Sequence, residues 1–145
     1  MVFKRMLSAL GVGAPTVDTV LTDRDTRPGQ VLAGHVHLTG GSQPAEIQQV
    51  AVSLVTVVEV EHDAGEDHGV FAFCRVPVAG PLRLAPGERR SLPFSLEVPW
   101  ETPITHVYGQ RLPGMTMGLR TEVAVAHAAD KSDIDPVHVH PLPAQ

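Results

Sequence analysis

From Thr16 onward, apolar and polar residues alternate along most of the chain. A period of two marks strands that bury one face. "TVDTVLT" (16–22) predicts a first strand. Arg27-Pro28-Gly29 predicts a turn, because proline presets its own φ and glycine accepts a positive one. "QVLAGHVHL" (30–38) predicts a second strand, with Leu32, Val36 and Leu38 on one face and Ala33, His35 and His37 on the other. A turn at "GGSQPAE" leads into "IQQVAVSLVTVVEVEHD" (47–63). There Val50, Val52, Leu54, Val58 and Val60 share one face, and Ser53, Glu59 and Glu61 the opposite one. Its β-branched residues favour strand over helix.

"AGEDHG" (64–69) predicts a polar hairpin tip, and "VFAFCRVPV" (70–78) the returning strand. A second Pro-Gly turn, Pro86-Gly87, precedes "RRSLPFSLEVP" (89–99). Leu92, Phe94, Leu96 and Val98 fall inward there, and Pro93 falls on the outward set, which predicts an edge or a bulge. Residues 100–118 mix loop and short strand. "LRTEVAVAHAAD" (119–130) predicts a strand with Leu119, Thr121, Val123 and Val125 on one side. "IDPVHVHPLPAQ" (134–145) predicts a last strand running into a proline-rich tail. Only "FKRMLSAL" (3–10) breaks the pattern: Phe3, Met6, Leu7 and Leu10 are spaced for a helix that Gly11 and Gly13 stop.

Eight or nine punctuated strands without βα alternation predict an all-β antiparallel β-sandwich of the immunoglobulin-like kind, with a short N-terminal helix. A closed barrel is the alternative. The expected divisions are a helix and cap over 1–14, the sandwich over 15–140 and a proline-rich tail over 141–145. The 145 residues suit one domain, with 43% hydrophobic and 19% charged residues, which are globular values. A net charge of −5 argues against general attraction to nucleic-acid backbones. No segment approaches the roughly 20 apolar residues that cross a bilayer. Cys74 is the single cysteine, so an internal disulfide is excluded and a reducing cytoplasm is the expected compartment.

Four constellations carry candidate chemistry. His35-Val36-His37 and His138-Val139-His140 are both H-x-H on strands, and two such pairs on neighbouring strands would build a tetrahedral metal site. The same alternation arises when Val36, Val137 and Val139 face the core and the histidines face water. Glu59, Glu61, His62, Asp63, Glu66, Asp67 and His68 crowd one hairpin, where solvated carboxylates keep ordinary pKa values. Cys74 has no base beside it in sequence and reads as structural. "GVGAPT" and "TGGSQP" lack the strand, helix and lysine of a phosphate loop. No catalytic set, metal set, cofactor or small-molecule substrate is therefore expected. What remains is surface: sheet edges that accept an added strand, and a loop with Trp100 and Tyr108. Trp100 reads either as a partner anchor or as a ring tucked under its own loop.

Three stretches together resemble a known family. "RPGQVLAGHVHL" resembles the approach to the second strand of arrestin-type domains, and "LPFSLEVPWETPIT" their Phe-x-x-x-x-Pro-x-x-x-Pro strand and loop. "GLRTEVAVAHAADKSDIDPVHVHP" and the opening "FKRMLSALGVGAPTVDTVL" are similar to the bacterial sporulation-control branch of that clan. The resemblance implies an arrestin-like β-sandwich, no catalytic activity, and a regulatory or scaffold role in sporulation or development through protein partners. The family's proteins usually carry two sandwiches, so residues 141–145 are expected to lead toward a second one. An edge left open by its absence would favour a homodimer. Two other roles compete: a metal-dependent β-barrel enzyme using the strand histidines, and a membrane-surface regulator docking through Lys4, Arg5 and the first helix.

Overall fold

The computed structural model describes residues 13–62, 65–112 and 115–142. The helix expected over residues 3–10 lies outside them. Among the described residues the fold is all-β, built from several largely antiparallel sheets.

β1 (Thr16–Leu21), β3 (Val31–Thr39) and β7 (Arg89–Glu97) form a three-stranded sheet in the order β1-β3-β7. A larger sheet runs β2 (Asp25–Thr26), β11 (Lys131–Val139), β10 (Met115–Val125), β4 (Ala45–His62), β5 (Gly65–Ala79), and β6 (Leu82–Leu84) also pairs with β4. Its one parallel pair is β2 with β11, where His138 lies opposite Asp25. β8 (His106–Val107) and β9 (Gln110–Arg111) make a separate small hairpin.

Alternation delivers the core as expected. Leu32, Val36 and Leu38 are buried on β3 while His35 and His37 are exposed. Phe94, Leu96 and Val98 are buried, and Leu119, Thr121, Val123 and Val125 are buried on β10. These side chains meet Val50, Val52 and Leu54 of β4 in one apolar cluster that both sheets share. Aliphatic branching fits these faces because Val and Leu pack on a pleated surface in few rotamers.

Three expectations need correction. The hairpin tip is tighter than 64–69: β4 and β5 stay paired to His62 opposite Gly65, so Glu66, Asp67 and His68 belong to a strand. Eleven strands form among the described residues rather than eight or nine, because β2, β8 and β9 are two residues each and too short to show a period. Ser53 is not on a wet face. It is fully buried, as are Ala51 and Val55 beside it. β4 is interior to its sheet, and Ser53 stands between its cross-strand neighbours Arg75 and Arg120. Those two long side chains reach Glu122 at 3.9 and 3.8 Å, so the small residues of β4 lie in the trough between them.

Pro93 sits on β7, which pairs only with β3 and is an edge. Pro77 sits on β5, the edge of the larger sheet. A proline on an edge removes a donor that a foreign strand would use.

Candidate functional site

The stretch between β7 and β10 carries the β8–β9 hairpin. Val107 pairs with Gln110 across Tyr108 and Gly109, whose φ angles are 51° and 77°. Two positive φ values in a two-residue connection define a type I′ turn, whose twist matches a hairpin. The turn holds Tyr108 out into solvent at 99% exposure.

The hairpin's base is fastened to β11. The amide of Thr105 donates to the carbonyl of Val139 at 2.9 Å, and the amide of Val139 donates to Thr105 Oγ1 at 2.8 Å. The amide of Leu112 donates to the Thr105 carbonyl at 2.7 Å and closes the loop. Thr105 is buried, so this clasp is shielded from water.

Trp100 does not tuck under its own loop. Its six-membered ring lies against Gly29 of the Arg-Pro-Gly turn, where a Cβ would come within 2.5–2.9 Å of the ring. Gly29 also has φ +85°, which side chains rarely adopt. The turn is clipped to the same loop by the Gly29 amide to Val98 carbonyl bond of 2.7 Å and its Val98-to-Gln30 reciprocal of 2.8 Å. The indole thus rests on glycine backbone and keeps 66% of its surface exposed. Gly29→Ala will push the ring off this seat. Because Trp100 is the single tryptophan, the expected red shift of its emission reads that displacement directly, with a stability loss of about 1 kcal/mol from the left-handed backbone.

The histidines divide differently from the metal reading. His35 and His37 stack on β3 with ring centroids 6.1 Å apart, in the smaller sheet. His138 and His140 lie on β11 in the larger sheet and meet other residues instead. Val36, Val137 and Val139 are buried behind the two pairs. The two H-x-H pairs therefore do not converge. Among the described residues, no group of three or more His, Cys, Asp or Glu is arranged to hold a metal ion.

His138 and His140 instead flank Asp25. His140 Nε2 donates to Asp25 Oδ1 at 2.8 Å, and His138 Nδ1 stands 3.4 Å from the same oxygen. The His140 hydrogen bond, helped by His138, holds the Asp25 carboxyl below its ordinary range. His106 of β8 packs onto both imidazoles, with ring centroids 4.4 Å from His138 and 5.5 Å from His140. Its Nδ1 shares a 2.7 Å hydrogen bond with Thr105 Oγ1. Burial first, and then the neighbouring His138 and His140, push the His106 pKa down.

Sequence reasoning missed this cluster. Asp25 and His106 stand far from β11 in sequence, in two-residue strands. It also passed over Asp133 and Asp135, buried at 1% and 2% exposure. Here a signal existed, since both are in phase with Val137 and Val139 on β11. Both are engaged in polar or electrostatic contacts. Asp133 faces Thr121 across the ladder, and Thr121 Oγ1 hydrogen-bonds Thr19 Oγ1 of β1 at 2.7 Å. A buried polar seam therefore runs between the two sheets beside the apolar core. Cys74 is a half-buried free thiol packed against that core, in keeping with a structural role.

Comparison with known proteins places this architecture. A family model described as SpoOM protein matches residues 3–145. The sporulation-control protein spo0M of Bacillus subtilis (strain 168) is 29% identical over 141 residues, covering 97% of this chain and 52% of that protein. The crystal structure of Spo0M, the sporulation control protein from Bacillus subtilis, superposes with a TM-score of 0.78 at 29% identity, over 91% of this chain and 51% of that one. The chain thus spans about half the length of the relatives it matches.

Proposed function

This chain belongs to the SpoOM protein family, and from that membership we propose that it is a non-enzymatic regulatory or scaffold domain of sporulation or developmental control. It works by binding other proteins in the cytoplasm. Its sheets close as an arrestin-like, immunoglobulin-like sandwich over residues 15–140. The sporulation-control title of the Bacillus subtilis relative supports the biological setting. Among the described residues no helix is long and apolar enough to cross a membrane.

The observation that carries the reading is the presentation of two aromatic side chains on a fastened loop. Tyr108 is almost wholly exposed at the tip of a type I′ turn, and Trp100 is two-thirds exposed on a glycine seat. Aromatic anchors held in place before binding lose little side-chain freedom on contact. The contact surface is therefore the Trp100–Leu112 loop. The edges bearing Pro77 and Pro93 suit strand addition less well.

The test compares the wild-type chain with a Trp100→Ala/Tyr108→Ala double variant in quantitative affinity capture from the source cell. The variant is expected to lose its specific interactors by at least about tenfold. Its melting temperature should stay within roughly 3 °C of wild type, because neither ring is in the core. An unchanged set of captured proteins, or a collapse in melting temperature, would overturn the loop as the contact surface.

A further inference from the structure

We propose that the β8–β9 hairpin is a proton-released flap, held on β11 by the packing of His106 over His138 and His140. This concerns the hairpin itself and holds whether or not the loop binds a protein.

Three imidazoles meet here around a single carboxylate. Among the described residues, the charged and titratable groups that face His106 are His138 and His140 of β11, Asp25 of β2 and Arg111 of β9. Asp25 can balance one positive charge. It already accepts from His140 and lies beside His138. A proton on His106 therefore adds a cation to a place that holds Arg111 and two other imidazoles. Acid thus lifts the hairpin.

The sign follows from the shifts already described. Docking holds the His106 pKa below that of the free imidazole, near 6.5. Neutral His106 therefore favours the docked hairpin, and that contribution is complete above about pH 6.5 and is lost as the pH falls below it. Asp25 is held below its ordinary value of 3.8, so its contribution persists until about pH 4.

A cavity of about 240 Å³ already lies between the docked hairpin and β10–β11, lined by His106, Arg111, Met117, Pro136, Val137 and His138. The docking bonds give direct reporters. The Thr105 and Val139 amides bond between hairpin and β11, whereas the Val107–Gln110 pairing is internal to the hairpin.

Amide hydrogen exchange on the full chain, corrected for intrinsic rates, decides it at pH 7.5 and pH 5. Protection of Thr105 and Val139 should fall by at least about threefold at the lower pH, while the β4–β10 ladder keeps its protection. His106→Gln should remove most of that difference, since glutamine cannot gain a charge. Asp25→Asn, which removes the balancing carboxylate, should deepen the loss of protection at pH 5. Equal protection at both pH values, an unprotected Thr105 at neutral pH, or an undiminished pH effect in His106→Gln would overturn the proposal.

Discussion

Leu54→Ala will lower the stability of the folded chain by about 3–5 kcal/mol, the range for a fully buried leucine whose site cannot collapse. Leu54 has no exposed surface and lies on β4 between β10 and β5. Its cross-strand neighbours are Leu119 and Cys74, and it belongs to the cluster shared by both sheets. Ladders on both sides hold the backbone, so the hole cannot be closed by moving the strand. The expected fall in melting temperature is more than roughly 8 °C. Denaturant unfolding should show a lower midpoint at unchanged slope, because the surface exposed on unfolding hardly alters. Phe71→Ala on β5 is the control, since that ring is 61% exposed and should lose little. A loss below about 1 kcal/mol for Leu54→Ala would mean that the two sheets do not press together there.

Asp135→Ala is the second large effect, at about 2–4 kcal/mol. The residue would be replaced by a smaller apolar one, which intuition from hydrophobicity alone would score as a gain. The carboxylate is 2% exposed and engaged in polar or electrostatic contacts. Deleting it breaks those contacts at a buried site, and the expected loss exceeds the relief of removing one buried acid. Asp133→Ala should behave alike. The double variant should fall short of the sum of the two singles, because neighbours within one polar group do not act independently. Chemical denaturation of the four proteins measures both the size and the coupling. Wild-type stability in Asp135→Ala would show that the acid carries no structural contact of consequence.

Much of the fold was legible because a strand with one wet face writes its orientation into every second residue. Val36 between His35 and His37 is the clearest case, and Pro93 correctly marked an edge. Legibility failed where that rule has no purchase. Ser53 shares the phase of Glu59 and Glu61, opposite Val52 and Leu54, yet it is fully buried, since its strand is interior and its cross-strand neighbours are Arg75 and Arg120. β2, β8 and β9 have two residues each and no period to read. The aromatic loop was legible as a surface, since tryptophan and tyrosine among prolines and glycines stand out. The seat of Trp100 on Gly29 was not, because it joins two turns about 70 residues apart in the sequence. The cluster of Asp25, His106, His138 and His140 is the same kind of failure. H-x-H spacing fixed the direction of two rings and left their company unknown. Asp133 and Asp135 are instructive in the other direction: their phase with Val137 and Val139 placed them inside, and only the habit of putting acids in water hid it.

The parallel pairing of Asp25 with His138 has a bearing on biogenesis. β2 leaves the ribosome long before β11, the strand it pairs with. Until then the nascent polypeptide can assemble β1, β3 and β7, but the flank of β10 that β11 will occupy stays bare. Closure of the β2–β11–β10 part of the sheet thus waits for β11, and slow translation between β10 and β11 would lengthen the interval in which chaperones must shield it.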